Sequence, residues 1–378
     1  MSTSRFPRIG ILGGGQLGRM LALAGIRMGL HIRFLSPEPS SSMDGLGEAI
    51  VGDWLDPAVL RKFAAGCDVI TVESEWAPLE RLIDLAPPKT LWPSPETLHL
   101  VRDKGLQKRT LTAAGLPTPA FACCATVDDA LAAARSFGFP MLLKRYRGSY
   151  DGYGNATIRS EDDLRAAWPR LAEWDGLLVE AWAPFVRELS VLVARRPDGQ
   201  RVVYPVAYTE QHDHRCHAVV VPAPIDSRVA TEAQRIAVDA VEAFGGVGLT
   251  AVELFELEDG AILINEMAPR PHNTGHYSID ASQTSQFENH LRAILDWPLG
   301  DPSLRAPVAV MVNILGHRSG SASTDGLKEA LCVEGAAIHL YGKEDVKPRR
   351  KMGHVTTTGT LAVETRARAE RAAALITL

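Results

Sequence analysis

No run of 18 consecutive apolar residues occurs in the 378-residue chain, and the opening MSTSRFPRIG lacks the apolar core of a secretory signal. A cytoplasmic protein with no membrane partner is therefore expected. Cysteine is scarce: five residues, at 67, 123, 124, 216 and 332, form no Cys-x-x-Cys pair. That odd set fits reduced thiols better than a disulfide framework. An excess of positive charge is also missing, with 40 Lys and Arg against 45 Asp and Glu and a formal charge of -5. Nothing attracts nucleic acid or an anionic surface in general, so any anionic ligand must be held by local groups. Self-similarity at a period of 20 to 50 residues is absent too, which excludes a solenoid or propeller. The segment Gln211-His212-Asp213-His214-Arg215-Cys216-His217 is rich in imidazole, but no pair in it has zinc-motif spacing with a matching partner elsewhere.

What is present is ordinary globular composition, 46% apolar and 22% charged, in a chain long enough for two or three domains. Residues 8 to 13 read as a buried strand that runs into Gly13-Gly14-Gly15-Gln16-Leu17-Gly18. Leu17, Met20, Leu21, Ala24 and Met28 then repeat at helical spacing until Gly29 stops the helix. Strand, G-x-G-x-x-G and helix make a Rossmann-like βα turn whose amides can hold an anion. A dinucleotide site also needs an acid closing the next strand, and His31 to Leu35 ends in Ser36-Pro37 instead, which disfavours a nicotinamide-dependent oxidoreductase. Asp56-Pro57, Ser94-Pro95 and Asp103 read as helix starts, and Asp68 to Glu73 as a further strand.

The Pro-rich GLPTPAF at 115 to 121 marks a change of pattern. A strand at 141 to 146 ends near Lys144, runs into the glycine-bearing loop 147 to 155, and returns as a second short strand. Such a loop is no Walker-type phosphate loop, yet its amides and Lys144 can cover a phosphate. Residues 177 to 182 and 188 to 195 read as strands interrupted by Glu180 and Glu188, 231 to 244 and 287 to 295 as helices, and 308 to 316 as the strand opening a small third domain. Lys347-Pro348-Arg349-Arg350-Lys351 is the only dense basic run.

The stretch 250 to 276 carries the clearest chemistry. Two alternating apolar runs flank Asp259-Gly260, a pair suited to a two-residue hairpin turn. Counting outward from that turn sets Glu253 opposite Glu266, Phe255 opposite Ile264 and Leu257 opposite Ile262, with all six on one face. Facing like charges are destabilising by up to roughly 1 kcal/mol, so a cation between them is expected, Mg²⁺ being the natural one. On that reading Glu266→Gln removes the cation site while stability without metal holds or rises.

The blocks GGGQLGRML, SYDGYGN, VEL before the hairpin, NEMAPRPHNTGH, SQFENHLRAI and KPRRKMGH resemble the ATP-grasp family. Within it they are similar to the N5-carboxyaminoimidazole ribonucleotide synthetases of purine biosynthesis, in order from residue 8 to about residue 355. The resemblance implies a mixed α/β and α+β chain: a Rossmann-like N-terminal domain (1–103), an ATP-grasp fold (104–298) and a small C-terminal domain (299–378). It implies an ATP-dependent C–N ligase in which ATP activates bicarbonate as carboxyphosphate and aminoimidazole ribonucleotide captures the carboxyl group, within a homodimer.

Carried over residue by residue, Glu253 and Glu266 would hold Mg²⁺ with Asn265 beside them, and Lys104 and Lys144 would neutralise ATP phosphates. Glu180 with Ala181, Trp182 and Ala183 would meet the adenine edge, and Glu188 the ribose. An ATP-contacting histidine is expected at Gln211 or, with a one-residue shift, at His212. Gln16, Tyr150, Asp151, Arg270, His272, Lys343 and Arg350 would surround the ribonucleotide, with Lys144, Tyr150, Asp151, Arg270 and His272 closest to the chemistry. Arg349 and Lys351 would stay solvated. Ser149 stands where the family's loop usually has glycine, and Tyr153 where it usually has a basic residue.

Overall fold

The computed structural model describes residues 6–85, 90–148, 153–172, 175–213 and 215–378. Ser149, Tyr150, Asp151 and His214 lie outside them. The N-terminal part is a parallel sheet in the order Glu48–Val51, His31–Ser36, Arg8–Leu12, Val69–Val72. Ile9, Ile11, Phe34 and Leu35 are buried, as expected of strands covered on both faces. The helix Gln16–Arg27 follows the first strand, and its Met20 and Leu21 pack on that sheet. Connections here begin as the sequence indicates: Asp56, Ser94 and Asp103 accept from the amides of Ala58, Thr97 and Leu106 at three successive helix starts.

A second, antiparallel sheet runs Phe121–Cys124, Leu177–Ala181, Met141–Lys144, Asn155–Ile158. Helices Val127–Phe137 and Glu161–Leu171 cover it, burying Leu131, Met141, Leu143 and Leu164. Lys144 thus ends an inner strand rather than an edge. The third and largest sheet is antiparallel, with the path Ile262–Ala268, Gly248–Leu257, Phe185–Arg195, Ala207–His212, Arg215–Val221, Val308–Leu315, Lys351–Gly359, Ala337–Leu340. Helix Ser227–Ala243 lays Val229, Ile236, Ala240 and Val241 on Val252, Leu254, Ile262 and Ile264. The Val308–Leu315 strand, which opens the C-terminal part, pairs with Arg215–Val221. One sheet therefore spans both parts.

Buried polar contacts lock these layers. His290 accepts from the Leu249 amide at 3.0 Å through Nδ1 and donates from Nε2 to Thr71 Oγ1 at 2.8 Å, tying the helix Gln286–Ile294 to both sheets it touches. Burial holds this imidazole down to about 3, so it stays neutral in that role. Asn273 and Asn313 exchange two amide hydrogen bonds, at 2.9 and 2.8 Å, across the joint with the C-terminal part.

Candidate active site

Glu253 does lie opposite Glu266, but the ladder between them and the turn differs from the expected one. Leu257 N–H donates to Ala261 O and Gly260 N–H to Leu257 O, so the turn is a three-residue loop, 258 to 260, with Gly260 at φ +81°. This shifts the pairing by one residue. Phe255 faces Leu263 and Glu256 faces Ile262, whereas a two-residue turn would set Phe255 against Ile264 and Leu257 against Ile262. A bulge at Asn265 then restores the register at Glu253 and Glu266. The two offsets cancel. Ile262 and Ile264 consequently face the helical core with Leu254 rather than sharing the carboxylate face. The bulge also puts two consecutive polar side chains, Asn265 and Glu266, on the open side.

The two carboxylates are not equivalent. Lys104, the first residue of its helix, is ion-paired to Glu266 Oε2. Burial alone would raise Glu266, but the Lys104 ammonium outweighs it and holds the carboxyl low. Glu253 has His272 Nε2 at 3.4 Å from Oε1. Burial, and next the charge of Glu266, pushes Glu253 well above the ordinary carboxylate range. With no cation between them, one of the pair is driven to keep a proton.

A second charged group lies behind Asn265. The Asn265 carboxamide oxygen accepts from Lys144 Nζ at 3.4 Å, and Lys144 is ion-paired to Glu180. Glu180, 2% exposed, also meets Lys108 Nζ at 2.8 Å. Burial would raise Glu180, but the two lysines bring it to about 2. Lys108, itself buried and lowered to about 8, further donates to Thr118 Oγ1 at 2.6 Å and Ile264 O at 3.2 Å. The Glu180 carboxylate is thus engaged by both lysines. It fixes the two lysines, and Lys108 is a member of the site that sequence reading missed. Its signal was the spacing Lys104, Lys108, one helical turn apart on one face.

Ala183 is buried and Trp182 is 44% exposed on the link between the strands Leu177–Ala181 and Phe185–Arg195. Glu188, raised by burial, accepts a hydrogen bond from Gln211. His212 instead points outward, 62% exposed, stacked on His217 at 4.2 Å and bonded to Glu210 at 3.1 Å. Of the two candidates, Gln211 is the one that faces the site.

On the other flank, Arg270 makes a bidentate pair with Glu75, at 2.5 and 3.1 Å. His272 is fixed by Thr274 Oγ1 at 3.0 Å, and burial, with the Arg270 and Lys351 charges, lowers it to about 3. Lys343 Nζ donates to Lys351 O at 2.7 Å; burial and then Arg350 lower it to about 8. Arg350, half-buried, donates to Asp345 O at 2.7 Å. Arg349 meets Asp213 at 3.2 Å. Lys351 is half-buried, and its charge acts on Glu253 and His272, so the expectation of a solvated Lys351 does not hold.

The glycine turn beside Gln16 is already occupied. The anion on its amides is the protein's own: Glu73 accepts from Gly15 N–H at 2.6 Å and Gly18 N–H at 2.8 Å. A Cβ at Gly13 would stand 2.2 Å from Glu73 and one at Gly15 2.8 Å, so the glycines make room for this carboxylate. Glu73 and Glu75 follow the strand Val69–Val72. They sit at the carboxyl edge where the sheet order reverses, which is where open α/β sheets bind ligands. Neither was singled out from the sequence.

Three family models match in sequence: the ribonucleotide synthetase preATP-grasp domain over residues 6–102, the ATP-grasp domain over 109–287, and the phosphoribosylaminoimidazole carboxylase C-terminal domain over 309–368. The N5-carboxyaminoimidazole ribonucleotide synthase of Mycobacterium bovis is 42% identical over 97% of this chain and 87% of its own. The N5-carboxyaminoimidazole ribonucleotide synthetase of Thermus thermophilus superposes with a TM-score of 0.88 at 37% identity, over 98% of this chain and 99% of that one. The Aspergillus clavatus synthase solved with ADP and 5-aminoimidazole ribonucleotide gives 0.88 at 32% identity, over 98% of both chains. With fold, length and all three domain matches in agreement, the chain belongs to the N5-carboxyaminoimidazole ribonucleotide synthases, ATP-dependent ligases that carboxylate aminoimidazole ribonucleotide in purine biosynthesis.

Proposed function

We propose that this chain carries out that carboxylation with bicarbonate as the carboxyl source and with the residues above in the following roles. The observation that carries the reading is the facing pair Glu253 and Glu266, ringed by Lys104, Lys144, His272 and Arg270. The donor set fits Mg²⁺: two carboxylates and the Asn265 carboxamide offer hard oxygens, and Glu253 is pushed toward a proton where no cation balances the pair. Bound there, Mg²⁺ would supply charge neutralisation for the ATP phosphates.

Lys144 and Lys104 meet the negative charge that develops on the transferred phosphoryl group, and Glu180 with Lys108 keeps Lys144 in place beforehand. Gln211 and Glu188 orient the ribose side of the nucleotide, and the link Ala181 to Ala183 lies along the base. A bicarbonate oxygen attacks the γ-phosphorus as the bond to ADP breaks, giving carboxyphosphate. The ribonucleotide amine then attacks its carboxyl carbon, phosphate leaves, and the amine gives up a proton. Burial and neighbouring cations keep His272 neutral, so it can hold or pass a proton, while Arg270, positioned by Glu75, faces the anionic groups. Lys343 and Arg350 take the 5′-phosphate, and Gln16 is assigned to the ribonucleotide. Tyr150 and Asp151, outside the described residues, are assigned to the ribonucleotide on the resemblance alone, as are the homodimer and the domain limits at 103 and 298; a cytoplasmic setting is part of the same proposal.

ADP release tests the reading. It should depend strongly on adding both bicarbonate and aminoimidazole ribonucleotide; release of equal rate with neither present contradicts the assignment.

A further inference from the structure

A second group of candidate ligands lies apart from this site, where the short helix Ser278–Ala281 meets the strands Ala337–Leu340 and Lys351–Gly359. His339 and His354 are directly opposite each other across that antiparallel pair, a placement that brings Cβ atoms to roughly 5 Å. Asp280 reaches in from the helix, with Oδ2 2.9 Å from His339 Nε2. One ligand atom from each of the three lies within 4.8 Å of the other two, and no other such trio of His, Cys, Asp or Glu occurs among the described residues.

The state of His354 is the independent sign. It is fully buried, its Nδ1 is hydrogen-bonded to the Tyr341 hydroxyl at 2.9 Å, and its Nε2 is buried with no hydrogen-bond partner. An unmet buried polar atom is costly. A histidine whose one nitrogen is tied to a neighbouring oxygen and whose other is free inside a polar cluster has the arrangement of a metal ligand with its outer partner already in place.

The geometry points to a binding site for a borderline divalent transition-metal ion, with Zn²⁺ as the representative, held by Asp280 Oδ2, His339 Nε2 and His354 Nε2. Two imidazoles and one carboxylate are a known donor set for such ions, with a fourth position left to water. Mg²⁺, which prefers oxygen donors throughout, is not the fit. Ligands sharing one tetrahedral zinc stand ~3.3 Å apart; Asp280 and His339 are already nearer than that, at 2.9 Å, so they must part slightly as the trio draws in on His354. The His339 ring also lies nearly parallel to that of His354, at 4.7 Å and 18°. Binding therefore turns His339 and Asp280, each with a side chain 28% exposed, toward the fixed His354. The ion would pin the helix Ser278–Ala281 to the C-terminal strands, next to Tyr341 and two residues from Lys343.

Full-length protein titrated with Zn²⁺ in excess Mg²⁺, by calorimetry and with Co²⁺ absorption as the spectroscopic probe, tests this. Wild type should bind one ion per chain and melt at a higher temperature with Zn²⁺ present. His339→Ala and Asp280→Asn, both at partly exposed positions, should each weaken binding at least a hundredfold and lose the thermal gain. His217→Ala, which breaks the other stacked histidine pair, should bind as wild type does. The site is refuted if wild type takes up no Zn²⁺, or if His339→Ala and Asp280→Asn bind it undiminished. Loss of binding in His217→Ala, with both others intact, would refute it as well.

Discussion

Glu253 and Glu266 stand opposite one another, yet a proton and a lysine divide them. Lys104 keeps Glu266 ionised, while Glu253 is raised by burial and by its neighbour's charge. The consequences for stability have opposite signs. A carboxyl whose folded value is raised contributes stability at low pH, below the ordinary carboxylate range, and loses it as pH rises through the folded value. In the metal-free protein Glu253→Gln should therefore melt higher than wild type at pH 7.5, on the order of 1 kcal/mol, and the gap should close by pH 5. Glu266→Gln leaves Lys104 without its partner and should melt lower, by on the order of 2 kcal/mol. Both should lose ligation. Thermal melts at the two pH values check this; Glu266→Gln as stable as wild type contradicts the division. Spacing alone gives the opposite expectation for Glu266→Gln, because Lys104 cannot be placed beside Glu266 from the sequence.

At the scale of elements, caps and periodicity were enough to place the strands Arg8–Leu12 and Phe185–Arg195 and the helices at Pro57, Pro95 and Lys104. The hairpin was legible as a hairpin, and its internal register was not. Asp259-Gly260 serves a two-residue or a three-residue loop equally well, and a bulge has no mark in an apolar-polar pattern. The bulge at Asn265 has a chemical consequence: in a regular ladder Asn265 would point away from Glu266, whereas here both face Lys104 and Lys144. Deleting Asn265 should leave Glu253 opposite Glu266 and the melting temperature nearly unchanged, since the ladder becomes regular. Turnover should fall at least tenfold, because the carboxamide that meets Lys144 is gone. A deletion variant of normal turnover would make the bulge a mere correction for the turn. Long-range polar partners, Glu73 on the glycine amides and Glu180 between two lysines, stayed hidden for a similar reason: nothing in a local pattern links Glu73 to amides 55 and 58 residues away, or Glu180 to Lys108 on a different element.

Across the whole molecule, the large sheet runs from the carboxylate hairpin through to the C-terminal strands, so Lys343 and Arg350 are held by the same framework as Glu253. A phosphate at Arg350 can be met bidentately, and at Lys343 by a point charge. Arg350→Ala should raise the Michaelis constant for the ribonucleotide at least tenfold, on the order of 1.4 kcal/mol, while that for ATP stays nearly constant. Steady-state kinetics with each substrate varied separately check this. Equal effects on both would mean that the C-terminal part has misfolded. We propose that the phosphoryl group of ATP passes to bicarbonate in the space between the two lysines and the two glutamates, before the amine is carboxylated. The direct measurement is a turnover in ¹⁸O-labelled bicarbonate with aminoimidazole ribonucleotide and ATP, followed by mass analysis of the phosphate. One labelled oxygen in each phosphate released is the predicted result; phosphate free of label, formed alongside carboxylated product, would contradict it.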